Sequence, residues 1–139
     1  MRWLKAGGLL IGAGVMIIQF FPAEKNDAPV SNSITQVYAM PASVQRILKN
    51  ACYDCHSNHT RYPWYAQLQP AGWWLAQHVR DGKEGLNFDE YGAYSSKRQV
   101  NKLKRLKTQL EEGTMPLPSY TWLHPAARLT PAQKDLPGH

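Results

Sequence analysis

"CYDCHSNHT", residues 52–60, contains the only two cysteines of the chain, two residues apart, with a histidine directly after the second. Four chemistries use thiols in such a pattern: a disulfide, part of a structural zinc site, a redox switch, and covalent attachment of a haem. The choice among them decides what the domain is built around. The surrounding sequence narrows it.

The chain has 139 residues, enough for one small domain and an appendage. The appendage comes first. "MRWLKAGGLLIGAGVMIIQFFP" starts basic, with Arg2 and Lys5, and runs apolar from Ala6 to Phe21 except for Gln19. That layout is a secretory signal or an N-terminal anchor. At about 1.5 Å per residue the apolar run reaches roughly 24 Å, slightly short of a ~30 Å hydrocarbon core. Trp3 at one interface and Phe20 with Phe21 at the other make up the difference. Cleavage requires small residues one and three places before the cut, and Phe21 breaks that rule for a cut after Ala23. Val37 and Ala39 satisfy it but lie far beyond the apolar run. Residues 1–22 therefore read as a retained transmembrane signal anchor in preference to a removed signal peptide. The basic residues keep the N-terminus inside and send the rest outward. Gly8 and Gly12 have the spacing of a weak helix-dimerising motif.

Export sharpens the opening question. Two such thiols in an oxidising compartment tend toward a disulfide, so a pair kept directly beside a histidine calls for another explanation.

Residues 23–40 are polar and rich in turn-formers and read as a tether. From Pro41 the pattern changes, and 41–139 reads as a single domain. Val44, Ile47, Leu48 and Ala51 occupy one face of a helix that carries Cys52 at its end. Pro63 and Pro70 punctuate the next stretch, and a helix is expected from Ala71 to Asp81, stopped by Gly82. "LNFDEYGAY" (86–94) reads as loop or short turn. Val100, Leu103, Leu106 and Leu110 define an amphipathic helix with a serine cap and a stopping Gly113. "TMPLPSYTWLHPAA" (114–127) is expected to be non-helical through its prolines. Thr130 caps a last helix, with Pro131 in its first turn. No useful run alternates with period two, so the fold class is all-α: a small helical domain with long, proline-stiffened loops behind one N-terminal helix.

A structural zinc site needs four ligands, usually two cysteine pairs, and the chain has one. A thioredoxin-like switch expects a βαβ setting that is missing. Haem c attachment needs two thiols for the two vinyl groups and an imidazole next to them for the iron, and C-x-x-C-H provides that. Five tryptophans and seven tyrosines are many rings for so small a core unless a large flat ligand shares it. The reading is one haem c on Cys52 and Cys55, with His56 as proximal iron ligand. Met115, in "GTMPLP", is the preferred distal ligand, being a thioether on a stiffened loop. His78, midway along a helix beside two tryptophans, is its rival. His59 and His124 are weaker candidates, and His139 at the terminus is discounted. Tyr62, Trp64 and Trp74 are expected to wall the haem pocket.

The sequence resembles the haem-binding domain family of exported, single-haem bacterial proteins related to c-type cytochromes. The likeness rests on "CYDCHSNHT", "YPWYAQLQPAGWW", "HVRDG", "LNFDEY", "GTMPLPSY" and "HPAARLT", in that order, over roughly residues 36–134. It implies a cytochrome c-like helical fold, covalent haem on Cys52 and Cys55, His56 as proximal ligand and Met115 in the distal loop. His78 falls within another of the family's motifs. One departure stands out: "KDLPGH" (134–139) breaks the last helix where such domains continue it.

These observations predict a monohaem cytochrome in a bacterial inner membrane, single-pass and facing the periplasm, or free in the periplasm if the signal is cleaved. It is expected to be an electron carrier more than a catalyst. The alternative is a haem peroxidase module, or an accessory domain to one, with an open sixth iron site. The net charge is +6, and Lys97, Arg98, Lys102, Lys104, Arg105 and Lys107 form an acid-free basic stretch. No nucleic-acid motif accompanies it, so an acidic redox partner protein is the expected counterpart.

Overall fold

The computed structural model describes residues 2–134. The break expected in the last helix at 135–139 lies outside them. Among the described residues the regular structure is helical, in the order α1 (Arg2–Ile18), α2 (Ile34–Val37), α3 (Ala42–Ala51), α4 (Tyr53–His56), α5 (Ala71–Gly85), α6 (Ser96–Glu111), α7 (Pro118–Leu123) and α8 (Pro131–Lys134). Short 3-10 turns cover Trp64–Gln67, Tyr91–Ala93 and Pro125–Ala127. The expected all-α class holds, and one isolated bridge, Asp27 with His59, is the only β-type pairing among the described residues.

α1 forms where the apolar run predicts it but ends at Ile18 after 17 residues. The reason is Gln19, whose side chain turns back onto the Val15 carbonyl and also pairs with Gln69. No helix among the described residues is long and apolar enough to cross a membrane, so the expected transmembrane helix is not supported by the described residues.

The stretch 23–40, read from sequence as a tether, packs on the helical body. Asn26 donates through Nδ2 to the Ser57 carbonyl and accepts from Lys83 Nζ at 2.7 Å. Ile34 is buried at 2 % exposure, and its amide donates to the Phe88 carbonyl. Ser33 and Gln36 close a capping box that starts α2.

α5 runs past its expected stop. Gly82 lies inside the helix, and the Leu86 amide caps its carbonyl at 2.8 Å. Gly82 is needed there for a different reason: a Cβ would sit 2.5 Å from the Cys55 carbonyl oxygen. The glycine lets α5 lie directly on the backbone of α4.

α6 forms where expected, with Leu103 and Leu106 partly buried against the core but Val100 of the expected face 50 % exposed. It stops before Gly113, whose φ of +70° is the left-handed conformation that glycine accepts without strain. Ser95 precedes α6 without a side-chain capping bond, contrary to the expected serine cap. Pro118, expected to prevent helix, instead opens α7 from its first position, where the missing N–H costs nothing. Thr130 does cap α8, in reciprocal bonds with Gln133.

The core gathers Ile34, Leu48, Leu86, Phe88 and Tyr91, with Leu103 and Leu106 of α6 against it. Three of those five buried residues come from the 86–94 loop.

Candidate functional site

Cys52 caps the end of α3, and the chain re-enters a helix at once in α4, with the Cys55 and His56 amides donating to the Cys52 carbonyl. Four residues cannot hold a helix unaided. α4 is fixed from three sides. Gly82 of α5 meets it at Cys55. The loop after α5 grips His56 twice: His56 Nδ1 donates to the Leu86 carbonyl at 2.9 Å, and the Phe88 amide donates to the His56 carbonyl at 2.8 Å. The third anchor is Asp54, a buried carboxylate that accepts from Arg61 Nε at 2.9 Å and from the Tyr120 hydroxyl at 2.6 Å.

The grip on His56 has a chemical consequence. A proton held on Nδ1 by a carbonyl leaves the lone pair on Nε2, the arrangement of a metal-binding histidine with an outer hydrogen bond. Burial also lowers the His56 pKa, against a smaller opposing effect of the Leu86 hydrogen bond. The ring is therefore kept neutral, as a ligand must be. Phe88 sets its ring against the imidazole at 6.2 Å, edge to face.

The two cysteines are free. Burial pushes the Cys52 thiol up to about 12, and burial followed by the Asp54 charge pushes Cys55 up to about 11. A redox-switch cysteine needs the opposite displacement. Among the described residues no group of three or more histidine, cysteine, aspartate or glutamate side chains is placed to hold a metal ion.

Cys52, Cys55 and His56 open onto a cavity of about 330 Å³. Its other walls include Leu106 and Leu110 of α6, Met115 and Leu117 of the following loop, and Leu86 and Phe88. Native interiors are close-packed, and this volume lies in the range of small-molecule and cofactor sites. A largely apolar chamber that joins two thiols, an imidazole and a thioether offers the donor chemistry a haem takes.

Met115 and His78 both line the cavity. The Met115 amide donates to the Gln109 carbonyl, folding its loop back on the end of α6. His78 lies against Trp74 with ring centroids 4.1 Å apart and planes tilted by 49°, and its Nδ1 donates to the Trp74 carbonyl. His59 pairs with Asp27 at the surface, and His124 stacks on Tyr120; neither lines the cavity.

The expected aromatic wall needs correction. Tyr62, Trp64 and Trp74 are absent from the cavity lining. Trp64 is 75 % exposed, and the Tyr62 hydroxyl accepts from the Asn26 amide instead. The rings that do reach the cavity are Phe88 and Tyr120, and the sequence reading assigned them no role. Leu86, Phe88 and Tyr91 were visible as apolar residues inside a polar turn, which is the signal that could have flagged the loop.

The model of the haem-binding domain matches residues 13–136 of the chain. The chain belongs to the haem-binding domain family. No curated protein and no solved structure matches it. The match spans the 23–40 stretch as well as the helical body, in keeping with the packing of that stretch on the domain. In this haem-binding domain the cysteine–histidine segment is thus the best-anchored wall of the ligand chamber.

Lys102 stands at the rim. Its ammonium donates to the Glu84 and Gly85 carbonyls, closing the C-terminal end of α5. Burial, with Arg98 and Arg105 nearby, holds it below the usual lysine range.

Proposed function

We propose that the protein is a monohaem c-type cytochrome that carries single electrons, anchored by α1 in a bacterial inner membrane with the domain on the periplasmic side. The observation that carries the reading is the double grip of Leu86 and Phe88 on His56, beside two free thiols on one wall of an apolar chamber. In this reading Cys52 and Cys55 form thioether bonds to the haem and His56 Nε2 is the proximal ligand. A bound haem supplies a one-electron iron couple whose potential depends on its axial ligands and on the dryness of its pocket. The protein's own part is to hold the imidazole neutral and oriented, exclude water and offer a second donor.

Met115 is the distal donor in this proposal. His78 shares a face of α5 with Gly82, four residues on, and Gly82 lies against Cys55. That favours a position of His78 beside the proximal wall. Met115 comes from a different element, the loop joining α6 and α7. A methionine ligand would raise the potential relative to a bis-histidine site.

The test is production of the full chain with the haem c maturation machinery, followed by denaturing electrophoresis and optical spectra. Haem that stays with the denatured chain, and a low-spin spectrum lost in Met115→Ala but kept in His78→Ala, is the expected result. Loss in His78→Ala alone reassigns the distal ligand. Pigment released on denaturation ends the covalent reading. A high-spin ferric wild type that binds cyanide readily indicates a peroxidase-type site with an open sixth position.

A further inference from the structure

The cavity leaves the chain's tryptophans unused, and α1 accounts for one group of them. Leu9, Leu10 and Ile11 are each at least 70 % exposed. Successive residues step around a helix by about 100°, so these three, with exposed Val15, Met16 and Ile17, cover every side of α1. A helix apolar all round belongs in a lipid or protein interior.

The end of α1 is clamped to the domain. Gln19 Nε2 donates to the Gln69 carbonyl at 3.0 Å, and the Gln69 amide donates back to Gln19 Oε1 at 2.9 Å. Trp73 Nε1 donates to the Phe21 carbonyl at 2.7 Å. The depth of Gln69 and Trp73 relative to a bilayer is thereby tied to the depth of Gln19–Phe21. Next to this clamp lie exposed Leu68 and, one 3-10 turn earlier, exposed Trp64.

We propose that the domain sits directly on a phospholipid bilayer, with Trp64, Leu68 and Trp73 in the headgroup layer around the C-terminal end of α1. The proposal rests on the reading of α1 as the membrane segment. Indole rings favour this layer, with an apolar body toward the chains and an N–H that finds an acceptor. Length points the same way. The apolar part of α1, from Ala6 to Ile18, reaches roughly 20 Å against a ~30 Å hydrocarbon core, and a short segment draws its flanks toward the membrane or thins it. Those flanks are Phe20, Phe21 and, through the clamp, the face carrying Trp73. α5 carries Trp73 at this footing and His78 and Gly82 farther along at the cavity. The footing thus holds the redox site at a set distance from the bilayer, where a loose tether would let it wander.

The test uses photo-crosslinking of the full chain in vesicles of phosphatidylcholine and phosphatidylglycerol. A benzoylphenylalanine replaces Ile11, Trp64, Leu68 or Lys97 in four separate preparations, and adducts are identified by mass spectrometry. The expected result is phospholipid adducts at 11, 64 and 68 and none above background at 97. Adducts at 11 alone overturn the footing and leave the anchor intact. No lipid adduct at 11 defeats the membrane reading of α1 and the footing with it. Adducts at 64 and 68 to a second copy of the chain show a dimer face and overturn the proposal.

Discussion

Replacing Gly82 with alanine tests how the cysteine–histidine segment is held. In an exposed helix interior, glycine to alanine stabilises by about 1 kcal/mol because alanine restricts the unfolded chain and favours helix. Here the new Cβ would lie 2.5 Å from the Cys55 carbonyl oxygen and 3.1 Å from both its carbonyl carbon and its Cβ. Ordinary contact begins at 3.4 Å, so α4 and α5 must move apart by several tenths of an ångström. The obstructing atoms are backbone and cannot rotate away. Forced separation of packed elements costs about 1–3 kcal/mol, which outweighs the helix gain. The displacement also pulls Cys55 and His56 from the grip of Leu86 and Phe88. Thermal unfolding of the haem-loaded protein and the yield of haem retained on a denaturing gel read both effects. Gly82→Ala is expected to lower Tm by several degrees, at roughly 4–8 °C per kcal/mol for a domain of this size, and to reduce covalent haem. Gly85→Ala, three residues on with nothing within 4 Å of its would-be Cβ, is expected to lower neither. A Gly82→Ala protein as stable as wild type with full haem content would refute the close-approach argument.

Tyr120→Phe removes the 2.6 Å bond to Asp54 and is expected to cost about 2 kcal/mol in urea unfolding, as hydrogen bonds to charged groups do. Asp54→Asn combined with Tyr120→Phe should cost less than the sum of the two, because both cut one network. Oxidation of the reduced protein by ferricyanide should slow several-fold as salt rises, and slow again in Lys104→Glu, if the basic face of α6 steers anions. Rates indifferent to both would remove that role from α6. In chain prepared without haem, amides of α6 should exchange with deuterium faster than those of Phe88 and His56. Equal protection would contradict a ligand-completed core.

The helices α3 and α6 were legible because their apolar residues recur on one face, and periodicity reports that contrast directly. Cys52, Cys55, His56, Met115 and His78 were legible for another reason: donor types are uncommon and their spacing is chemical. Gly82 was misread because a stop and a close approach leave the same mark in sequence. Only the neighbouring chain, Cys55, separates them. The apolar residues of the 86–94 loop were visible in the sequence, but its grip on His56 was not. That grip runs through main-chain groups, the Leu86 carbonyl and the Phe88 amide, which side-chain patterns do not encode. Trp64 and Trp74 were assigned to the pocket on ring area alone. An amphipathic ring serves a core or an interface equally well, and the clamp between Gln19, Phe21 and α5 joins residues about fifty positions apart.

The two walls of the chamber are built by different physics. On the cysteine–histidine side, α4 is fixed by a backbone contact at Gly82, by the two bonds from the loop after α5 and by the buried Asp54 carboxylate. Each is specific and directional, and each is satisfied by the protein alone. On the opposite side, α6 has no fully buried residue, and Leu106, Leu110, Met115 and Leu117 face the chamber. Apolar burial there is non-directional and grows with the surface removed from water, so a bound ligand supplies much of what holds that side closed. The cysteine–histidine wall holds its thiols and imidazole through the protein's own contacts. In the proposed reading, closing the α6 side over a bound planar group would bring the Met115 loop toward it. This division explains why the polar contacts concentrate around a four-residue helix while the longer α6 is left to close by packing.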